Sequence, residues 1–334
     1  MNFEGVPIVN RAVTKLLLAA AGLCLFLPQP PLAAQTPAAA AASGQFRKVV
    51  LDQDQEVDGK KADTLKDPME LSVARDGRLF FIERDGAVKV WKPQTKQTTL
   101  VGKLNVFSGL EDGLLGLTLD PNFLSNGWIY LYYSVPETTR DQNGQKTGEN
   151  RAARFTLTGD ELDLGSEKVL IRVATQREEC CHSGGSLTFD AKGNLYLSTG
   201  DNTNPFGSDG YAPIDERPGR SPWDAQKSSA NRNDLRGKIL RVTPRPDGTI
   251  SIPSGNLFPA DGSNGRPEIY VMGCRNPFRI SVDPATGWLF WARSAPTPAR
   301  AARCAARRVL MRLIWPKRPA IMAGPISLLI TAGI

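Results

Sequence analysis

The 334-residue chain contains a single histidine, His182, in the stretch from Cys180 to Gly185. Histidine is the side chain whose unperturbed pKa lies near neutrality, so it is well suited to accept and release a proton at physiological pH. The small residues that follow it allow a substrate or a planar cofactor to approach the backbone closely. We therefore predict that His182 acts as a base. The alternative is a hydrogen-bonded loop histidine without a chemical role.

Short strands are the elements that would position this residue. Between residues 65 and 291 the chain is punctuated by Gly, Pro, Asn and Asp, and β-branched or aromatic runs lie between these turn residues. Six such runs are predicted strands: Leu79–Ile82, Ala87–Trp91, Trp128–Tyr133, Leu195–Ser198, Lys238–Val242 and Trp288–Trp291. Because no amphipathic helix of useful length competes with them, we predict an all-β fold.

A hairpin unit recurs four times in this region. It consists of an apolar strand, a turn containing Asp-Gly, Asp-Pro or Lys-Gly, and a second apolar strand. The first strands of the four units are Leu71–Val73, Leu117–Leu119, Leu187–Phe189 and Ile280–Val282. Such recurrence is typical of a β-propeller built from four-stranded blades, whereas a sandwich explains the strands but not the repetition. At about 40 to 50 residues per blade, residues 65–291 provide about four or five blades.

The N-terminal part of the chain predicts export. Residues 1–34 contain Arg11 and Lys15, an apolar run from Leu16 to Leu27, and Leu32-Ala33-Ala34, which are the three parts of a secretory signal peptide. Residues 35–64 form an alanine-rich leader and linker. The apolar run is too short to span a bilayer. We therefore expect a periplasmic or secreted protein without a stable membrane span.

Positive charge is concentrated beyond Trp291. The net charge is +7, but eight basic residues and no acidic residue follow Trp291, so residues 1–291 sum to about −1. This near-neutral body gives no reason to expect nucleic acid as a partner. If one G is inserted after the Trp291 codon, the restored frame can read G-P and then D-E-I-N…N-Y-G-W-P. We therefore predict that residues 292–334 are a frameshifted, non-native tail; the alternative is a genuine basic tail.

The order of motifs along the body resembles one known family. The motifs are Arg75–Phe80, Glu83–Gly86, Gly113–Leu117, Asp120–Phe123, His182–Leu187, Leu197–Asp201, Leu235–Arg241, Pro267–Tyr270 and Arg275–Phe278. This series resembles the soluble quinoprotein glucose and sorbosone dehydrogenases, which are six-bladed propellers that oxidise sugars with pyrroloquinoline quinone and bind calcium. The resemblance implies a propeller of this type truncated to about four or five blades, both cofactors, an aldose-type sugar as substrate, and an electron acceptor such as a cytochrome or a quinone as partner.

The resemblance also implies roles for individual residues. His182 would remove the proton from the anomeric hydroxyl while hydride passes to the quinone. Arg275 matches an arginine that contacts the cofactor near its reactive carbonyl, where a fixed positive charge stabilises an oxyanion. Asn276 matches a neighbouring cofactor contact. Glu111, with Asp112 beside it, stands where other members have a glutamine that contacts the quinone. The alternative for Arg275 is a salt-bridged loop residue.

Three departures from the family pattern affect these expectations. A carboxylate at Glu111 is unfavourable near an anionic cofactor unless a cation or a proton offsets it. Cys181 stands where some members have an aspartate that could orient the imidazole, so the tuning of the base would differ. The carbonyls of the calcium loop and the cations that hold the quinone carboxylates lie beyond the in-frame part.

These observations leave three hypotheses for the function. The first is that the chain is a truncated and inactive copy of a sugar dehydrogenase that uses pyrroloquinoline quinone. The second is a non-catalytic propeller that binds carbohydrate or a protein. The third is a calcium-dependent lactone hydrolase, which is weaker because the one histidine lies in a dehydrogenase-like motif.

The cysteines fit an exported protein. Cys24 leaves with the predicted signal peptide and Cys304 belongs to the predicted frameshifted tail, which leaves Cys180, Cys181 and Cys274. Two of them precede His182 and the third precedes Arg275, so we expect the two loops to converge. Either Cys180 and Cys181 pair with each other, or one of them pairs with Cys274, and one thiol remains.

Overall fold

The computed structural model describes residues 48–52, 55–57, 60–62, 65–293 and 320–321. The predicted signal peptide lies outside these residues, as do parts of the linker and most of the predicted frameshifted tail. The first described element is an antiparallel hairpin of β1 (Gln55–Val57) and β2 (Lys60–Ala62). No helix in the described part of the chain has the length and apolar character that crossing a membrane requires.

The first sheet is a meander of four antiparallel strands in chain order. The strands are β3 (Pro68–Val73), β4 (Leu79–Glu83), β5 (Ala87–Lys92) and β6 (Gln97–Lys103). Strands β4 and β5 coincide with two of the predicted runs. Strand β4 is almost wholly buried and β5 is about half buried, and Phe80, Ile82, Val88 and Val90 of the two strands pack into a common core.

The second sheet has the same strand order with longer outer strands. Its elements are β7 (Leu114–Leu119), the one-turn helix α1 (Phe123–Asn126), β8 (Trp128–Ser134), β9 (Thr139–Arg140), β10 (Lys146–Thr158) and β11 (Glu161–Gln176). The sheet runs β7-β8-β10-β11, and the short β9 pairs with the start of β10. Two register shifts interrupt the pairing of β10 with β11, near Ala152 and Arg154.

The third sheet carries the longest connection, between its second and third strands. Its elements are β12 (Gly184–Phe189), β13 (Leu195–Thr199), a 3-10 turn (Ser221–Trp223), β14 (Lys238–Pro244), β15 (Ile250–Ser251) and β16 (Ile269–Met272). A fourth sheet contains β17 (Pro277–Val282) and β18 (Leu289–Arg293). From the predicted frameshifted tail, β19 (Ala320–Ile321) pairs in parallel with β16.

The first strands of the four sheets form the inner layer of the fold. Strand β3 packs against β7, β7 against β12, and β12 against β17. Strands β7 and β12 approach so closely that a Cβ added at Gly116 would lie 1.8 Å from the carbonyl oxygen of Gly185. The all-β prediction is confirmed. The described chain is a partial propeller that begins four blades, of which three have all four strands and the last has its inner hairpin.

Alternation of side chains along each strand divides the core into layers between blades. On β8, Ile129 and Leu131 pack into the core between the first and second blades, whereas Tyr130 and Tyr132 pack between the second and third. A further core that includes Ile280 lies between the third and fourth blades. Because successive side chains of a strand point to opposite faces, a run that is apolar at every position is buried on both faces.

One aspartate-capped turn explains the repeated hairpin unit. In each blade an aspartate after the first strand accepts a hydrogen bond from the backbone N–H two residues later. The pairs are Asp76 with Arg78, Asp120 with Asn122, Asp190 with Lys192, and Asp283 with Ala285, at 2.9 to 3.1 Å. The aspartate side chain adds to the backbone hydrogen bonds of each turn, such as that from the Gly77 N–H to the Ala74 carbonyl in the first. The four predicted units are therefore the first hairpins of the four blades.

Candidate active site

The predicted site residues lie immediately before the inner strands of successive blades. Glu111 and Asp112 precede β7, His182 precedes β12, and Arg275 and Asn276 precede β17. Equivalent strands of repeated blades run in the same direction, so residues before them collect at one end of the propeller axis. The structure links Glu111 to Arg275 through His182 and Asp201. Asp112 reaches the same loop through Ser183, and Asn276 lies beside Arg275.

A buried carboxylate orients the imidazole of His182. The Nδ1 atom of His182 lies 2.8 Å from Oδ1 of Asp201, and both side chains are buried. Asp201 follows the end of β13, and its Oδ1 also accepts the backbone N–H of Thr203 at 3.0 Å. A carboxylate only accepts hydrogen bonds, so Nδ1 carries a proton and the neutral ring keeps its acceptor at Nε2. His182 thus has the tautomer that a base needs.

The loop that carries His182 packs against the residue before Asp201. A Cβ added at Gly200 would lie 1.8 Å from the carbonyl oxygen of His182, so no larger residue fits there. The same carbonyl accepts the backbone N–H of Asn202 at 3.2 Å. The glycine therefore sets how closely the histidine loop approaches the end of β13.

Glu111 contacts the backbone of His182. Its Oε2 accepts the His182 N–H at 2.6 Å. A carboxylate at this position holds the histidine loop from the side opposite Asn202. Glu111 is exposed to solvent. Its contact with a cofactor stays a prediction.

Asp112 is buried beneath this loop and connects it to the second blade. Its Oδ1 accepts hydrogen bonds from Oγ of Ser183 at 2.9 Å and from Nδ2 of Asn150 at 3.3 Å. Nε of the buried Arg177 lies 3.9 Å from its Oδ2. These partners offset the cost of burying the charge and turn Asp112 away from open solvent. In this structure Asp112 supports the loop, and its predicted contact with the cofactor stays a prediction.

Arg275 and Asn276 complete the group from the fourth blade. Nη1 of Arg275 lies 3.9 Å from Oδ2 of Asp201, and the Arg275 carbonyl accepts the Asp201 N–H at 2.7 Å. Asp201 therefore links the histidine to the arginine. Within the described part of the chain, Oδ2 of Asp201 and Oδ1 of Asn276 are buried and have no hydrogen-bond partner. Buried polar atoms of this kind mark a place where a ligand or water is expected.

The disulfide joins the two adjacent cysteines. Cys180 and Cys181 form the bridge, and Cys274 is a buried cysteine outside it. The loops of Cys181 and Cys274 nevertheless converge, because Asp201 contacts both His182 and Arg275. The described residues contain no cluster of three or more His, Cys, Asp or Glu that could hold a metal ion. The calcium loop expected from the resemblance falls in the largely undescribed segment 292–334.

Asp201 was not assigned a role from the sequence. Because Cys181 stands where some members have an aspartate, we expected the tuning of the base to differ. In the structure Asp201, which follows the neighbouring strand β13, orients the imidazole. The available signal was the position of Gly200-Asp201 directly after the buried run Leu195–Thr199. Polar residues at the end of a buried strand often belong to a site.

Comparison with known proteins shows which family the chain resembles. Residues 65–296 match the family described as Glucose / Sorbosone dehydrogenase. The chain is similar to human Hedgehog-interacting protein, with 28% identity over 234 residues that cover 66% of this chain and 30% of that protein. It is also similar to the aldose sugar dehydrogenase YliI of Escherichia coli K12, with 25% identity over 237 residues that cover 70% of this chain and 55% of that protein.

One solved structure is similar to this chain in both fold and sequence. The chain is similar to a Thermus thermophilus protein described as a putative oxidoreductase (glucose dehydrogenase), with a TM-score of 0.53 and 28% identity over 70% of this chain and 60% of that one. Among the curated relatives named above, the chain spans between 30% and 55% of their length.

Proposed function

The chain belongs to the Glucose / Sorbosone dehydrogenase family, and from this premise we propose that the site around His182 serves the oxidation of an aldose-type sugar with pyrroloquinoline quinone as hydride acceptor. The observation that carries the proposal is the buried pair of His182 and Asp201, which leaves one ring nitrogen able to take a proton. The full activity would belong to a longer protein in which the frame beyond Trp291 is restored.

His182 performs the proton step in this proposal. A neutral alcohol is a poor hydride donor, and removal of its proton raises electron density at the carbon that gives up hydride. The hydroxyl proton of the sugar passes to Nε2 of His182. A bound quinone would accept the hydride from the anomeric carbon, and the sugar would become a lactone. Asp201 stabilises the imidazolium that forms, because its carboxylate lies 2.8 Å from Nδ1.

The residues present fit the carbonyl end of the quinone. When bound, pyrroloquinoline quinone supplies a two-electron acceptor. The side chain of Arg275 is largely buried, and its nearest carboxylate oxygen, on Asp201, is 3.9 Å away, which is beyond a hydrogen bond. Its guanidinium therefore retains donors for a carbonyl oxygen and a positive charge for a developing oxyanion. The buried Oδ1 of Asn276 has no hydrogen-bond partner among the described residues, so it can accept a hydrogen bond from a ligand donor.

The remaining parts of the proposal come from the resemblance alone. Calcium and the groups that would hold the quinone carboxylates depend on sequence beyond the in-frame part. The partner would be an electron acceptor such as a cytochrome or a quinone. We propose that residues 292–334 are frameshifted and that the 334-residue chain is itself inactive. Export to the periplasm or medium, through the signal peptide of residues 1–34, belongs to the same proposal.

An assay of the restored protein tests the proposal directly. The gene is first resequenced across the Trp291 codon, and the frame-restored protein is then expressed, loaded with pyrroloquinoline quinone and calcium, and mixed with aldoses and a redox dye. We expect dye reduction that His182→Gln lowers by on the order of 10²-fold or more. Absence of dye reduction with every aldose, in a protein that binds the quinone, would contradict the proposal.

A second candidate function is a non-catalytic propeller. It is supported by the similarity to human Hedgehog-interacting protein, whose name describes a binding role. A carboxylate at Glu111 also disfavours an anionic cofactor. Calorimetry on the frame-restored protein separates the two: tight sugar binding without binding of the quinone favours the non-catalytic function, and quinone binding favours the dehydrogenase.

A further inference from the structure

Two adjacent cysteines form a covalent ring directly before the histidine. Cys180 and Cys181 are joined by a disulfide, and the peptide bond between them closes the ring, so the pair loses most of its backbone freedom. Cys181 is buried, whereas Cys180 is only partly buried. A small reductant can therefore reach the bridge from the side of Cys180.

The backbone at the end of this ring has an uncommon conformation. The φ angle is +156° at Cys181 and +63° at His182. Residues with a side chain rarely adopt these values, because Cβ then crowds the neighbouring backbone. Such conformations persist only where surrounding structure imposes them. Two consecutive residues of this kind therefore need an explicit constraint.

Hydrogen bonds supply that constraint at His182 but not before it. The His182 N–H donates to Glu111 and the His182 carbonyl accepts from Asn202. Among the described hydrogen bonds, none engages a backbone group of Cys180 or Cys181. The disulfide is thus the constraint that sets the backbone conformation directly before His182. The orientation of the imidazole toward Asp201 depends on that conformation.

We propose that the Cys180–Cys181 disulfide is a positioning element for His182, which keeps the imidazole on Asp201 while the bridge is intact and releases it when the bridge is reduced. Reduction by a dithiol breaks the Sγ–Sγ bond, adds two electrons and two protons to give two thiols, and converts the dithiol to its own disulfide. The consequence for catalysis rests on the proposed function, but the effect on the position of the imidazole does not.

The single histidine makes a direct test feasible. The 334-residue chain, purified without a histidine tag, is labelled with 15N-histidine, so its spectrum contains one imidazole. Ring signals are recorded in the oxidised protein, after dithiothreitol, and after reoxidation. We expect a defined Nδ1-protonated ring in the oxidised state, movement of both nitrogen signals toward those of a solvent-exposed histidine on reduction, and recovery on reoxidation. Unchanged ring signals, while thiol titration shows that the bridge has opened, would overturn the proposal.

Two variants serve as controls. The double change Cys180→Ser with Cys181→Ser should give the reduced-type spectrum without reductant and should not respond to it. Cys274→Ser is the matched control, because it removes the cysteine outside the bridge and should respond as the native chain does. If the double variant does not fold, the native chain still provides the test, because far-UV circular dichroism shows whether it stays folded on reduction.

A kinetic measurement separates this proposal from the proposed function. In the frame-restored enzyme, reduction should lower kcat by about tenfold and change KM for the sugar by less than about twofold, since the bridge acts on the base and not on sugar binding. Movement of the ring signals in a protein that oxidises no sugar would refute the dehydrogenase function and leave the positioning role intact. Full activity after reduction, with the sugar oxidised normally, would refute the positioning role.

Discussion

At the scale of single residues, the candidate site depends on a carboxylate that lies 19 positions after the histidine it orients. Asp201 contacts His182 through Oδ1 and faces Arg275 through Oδ2. One side chain therefore couples the proposed base to the proposed cofactor contact. Glu111 binds the backbone of the same histidine, which gives this unusual carboxylate a structural partner.

Replacement of the Asp201 carboxylate should impair the base without unfolding the protein. In Asp201→Asn the amide no longer stabilises an imidazolium and can impose the wrong tautomer, so kcat of the frame-restored enzyme should fall on the order of 10²-fold with a smaller change in KM. The measurement is steady-state dye reduction. The matched control is Asp76→Asn, since asparagine can accept the same turn hydrogen bond. Equal losses in both variants would contradict the assignment.

At the scale of elements, one glutamate links the inner strands of all four blades. Glu70 of β3 accepts the Leu117 N–H of β7 at 2.8 Å and contacts Ser186 and the Leu187 N–H of β12, and Nε of Arg279 on β17 lies 3.8 Å away. Burial raises the pKa of Glu70 to about 7, although Arg279 and the hydrogen bonds act in the opposite direction. The inner layer is therefore held by an acid that titrates near neutrality.

Stability should depend on pH through this side chain. Because the pKa is about 7 in the folded protein and about 4.5 in the unfolded chain, the contribution of Glu70 is fully present below about pH 4.5 and is lost as the pH rises through about 7. Between pH 5 and pH 8 the native chain should lose on the order of 2 to 3 kcal/mol of unfolding free energy more than Glu70→Gln. Urea unfolding at the two pH values measures this difference.

A matched variant tests the source of that dependence. Glu83 is a second buried glutamate, on the neighbouring strand β4, where it pairs with Lys89. Glu83→Gln should keep the native pH dependence even if it lowers stability at both pH values. If Glu70→Gln and the native chain lose stability in parallel, another group is responsible.

At the scale of the whole molecule, the inner strand of the first blade carries an exposed apolar face. Leu71 and Val73 are 60% and 61% exposed, and they occupy alternate positions of β3, hence one side of it. Strands β7 and β12 each pack between two other inner strands, whereas β3 packs against β7 at one end of the series and β17 against β12 at the other. In a closed propeller every blade packs between two others, so this face is where a further blade would be expected to pack.

Polar substitution of Leu71 and Val73 should reduce aggregation of the 334-residue chain but lower the stability of the frame-restored protein. In the 334-residue chain, Leu71→Thr with Val73→Thr should reduce aggregation and binding of a hydrophobic dye, because threonine keeps strand propensity and removes apolar surface. In the frame-restored protein the same change should cost about 2 to 4 kcal/mol, since both side chains would be buried. Leu124→Thr, at an exposed leucine on α1, is the control and should be near neutral in both. Lower stability of the 334-residue chain alone would contradict this picture.

The strand class, the repeated hairpins and the family could all be recognised from the order of amino acids alone. Runs such as Trp128–Tyr133 predicted strands because continuous β-branched and aromatic residues suit a strand that is buried on both faces. The four turns with Asp-Gly, Asp-Pro or Lys-Gly predicted the repeated hairpins because a turn signal is local in the sequence. Strands β10 and β11 were not predicted, since their polar residues and register shifts break any two-residue period.

The assembly of the site depends on contacts that form only in the folded chain. His182, Arg275 and the cysteines could be selected from the sequence as chemically suitable residues next to strand starts. The pairing of Cys180 with Cys181, the partner of the imidazole and the role of Glu111 could not, because each depends on which loops meet at the end of the propeller axis. Contacts between loops of different blades are set by the packing of the inner strands, and no local pattern encodes them.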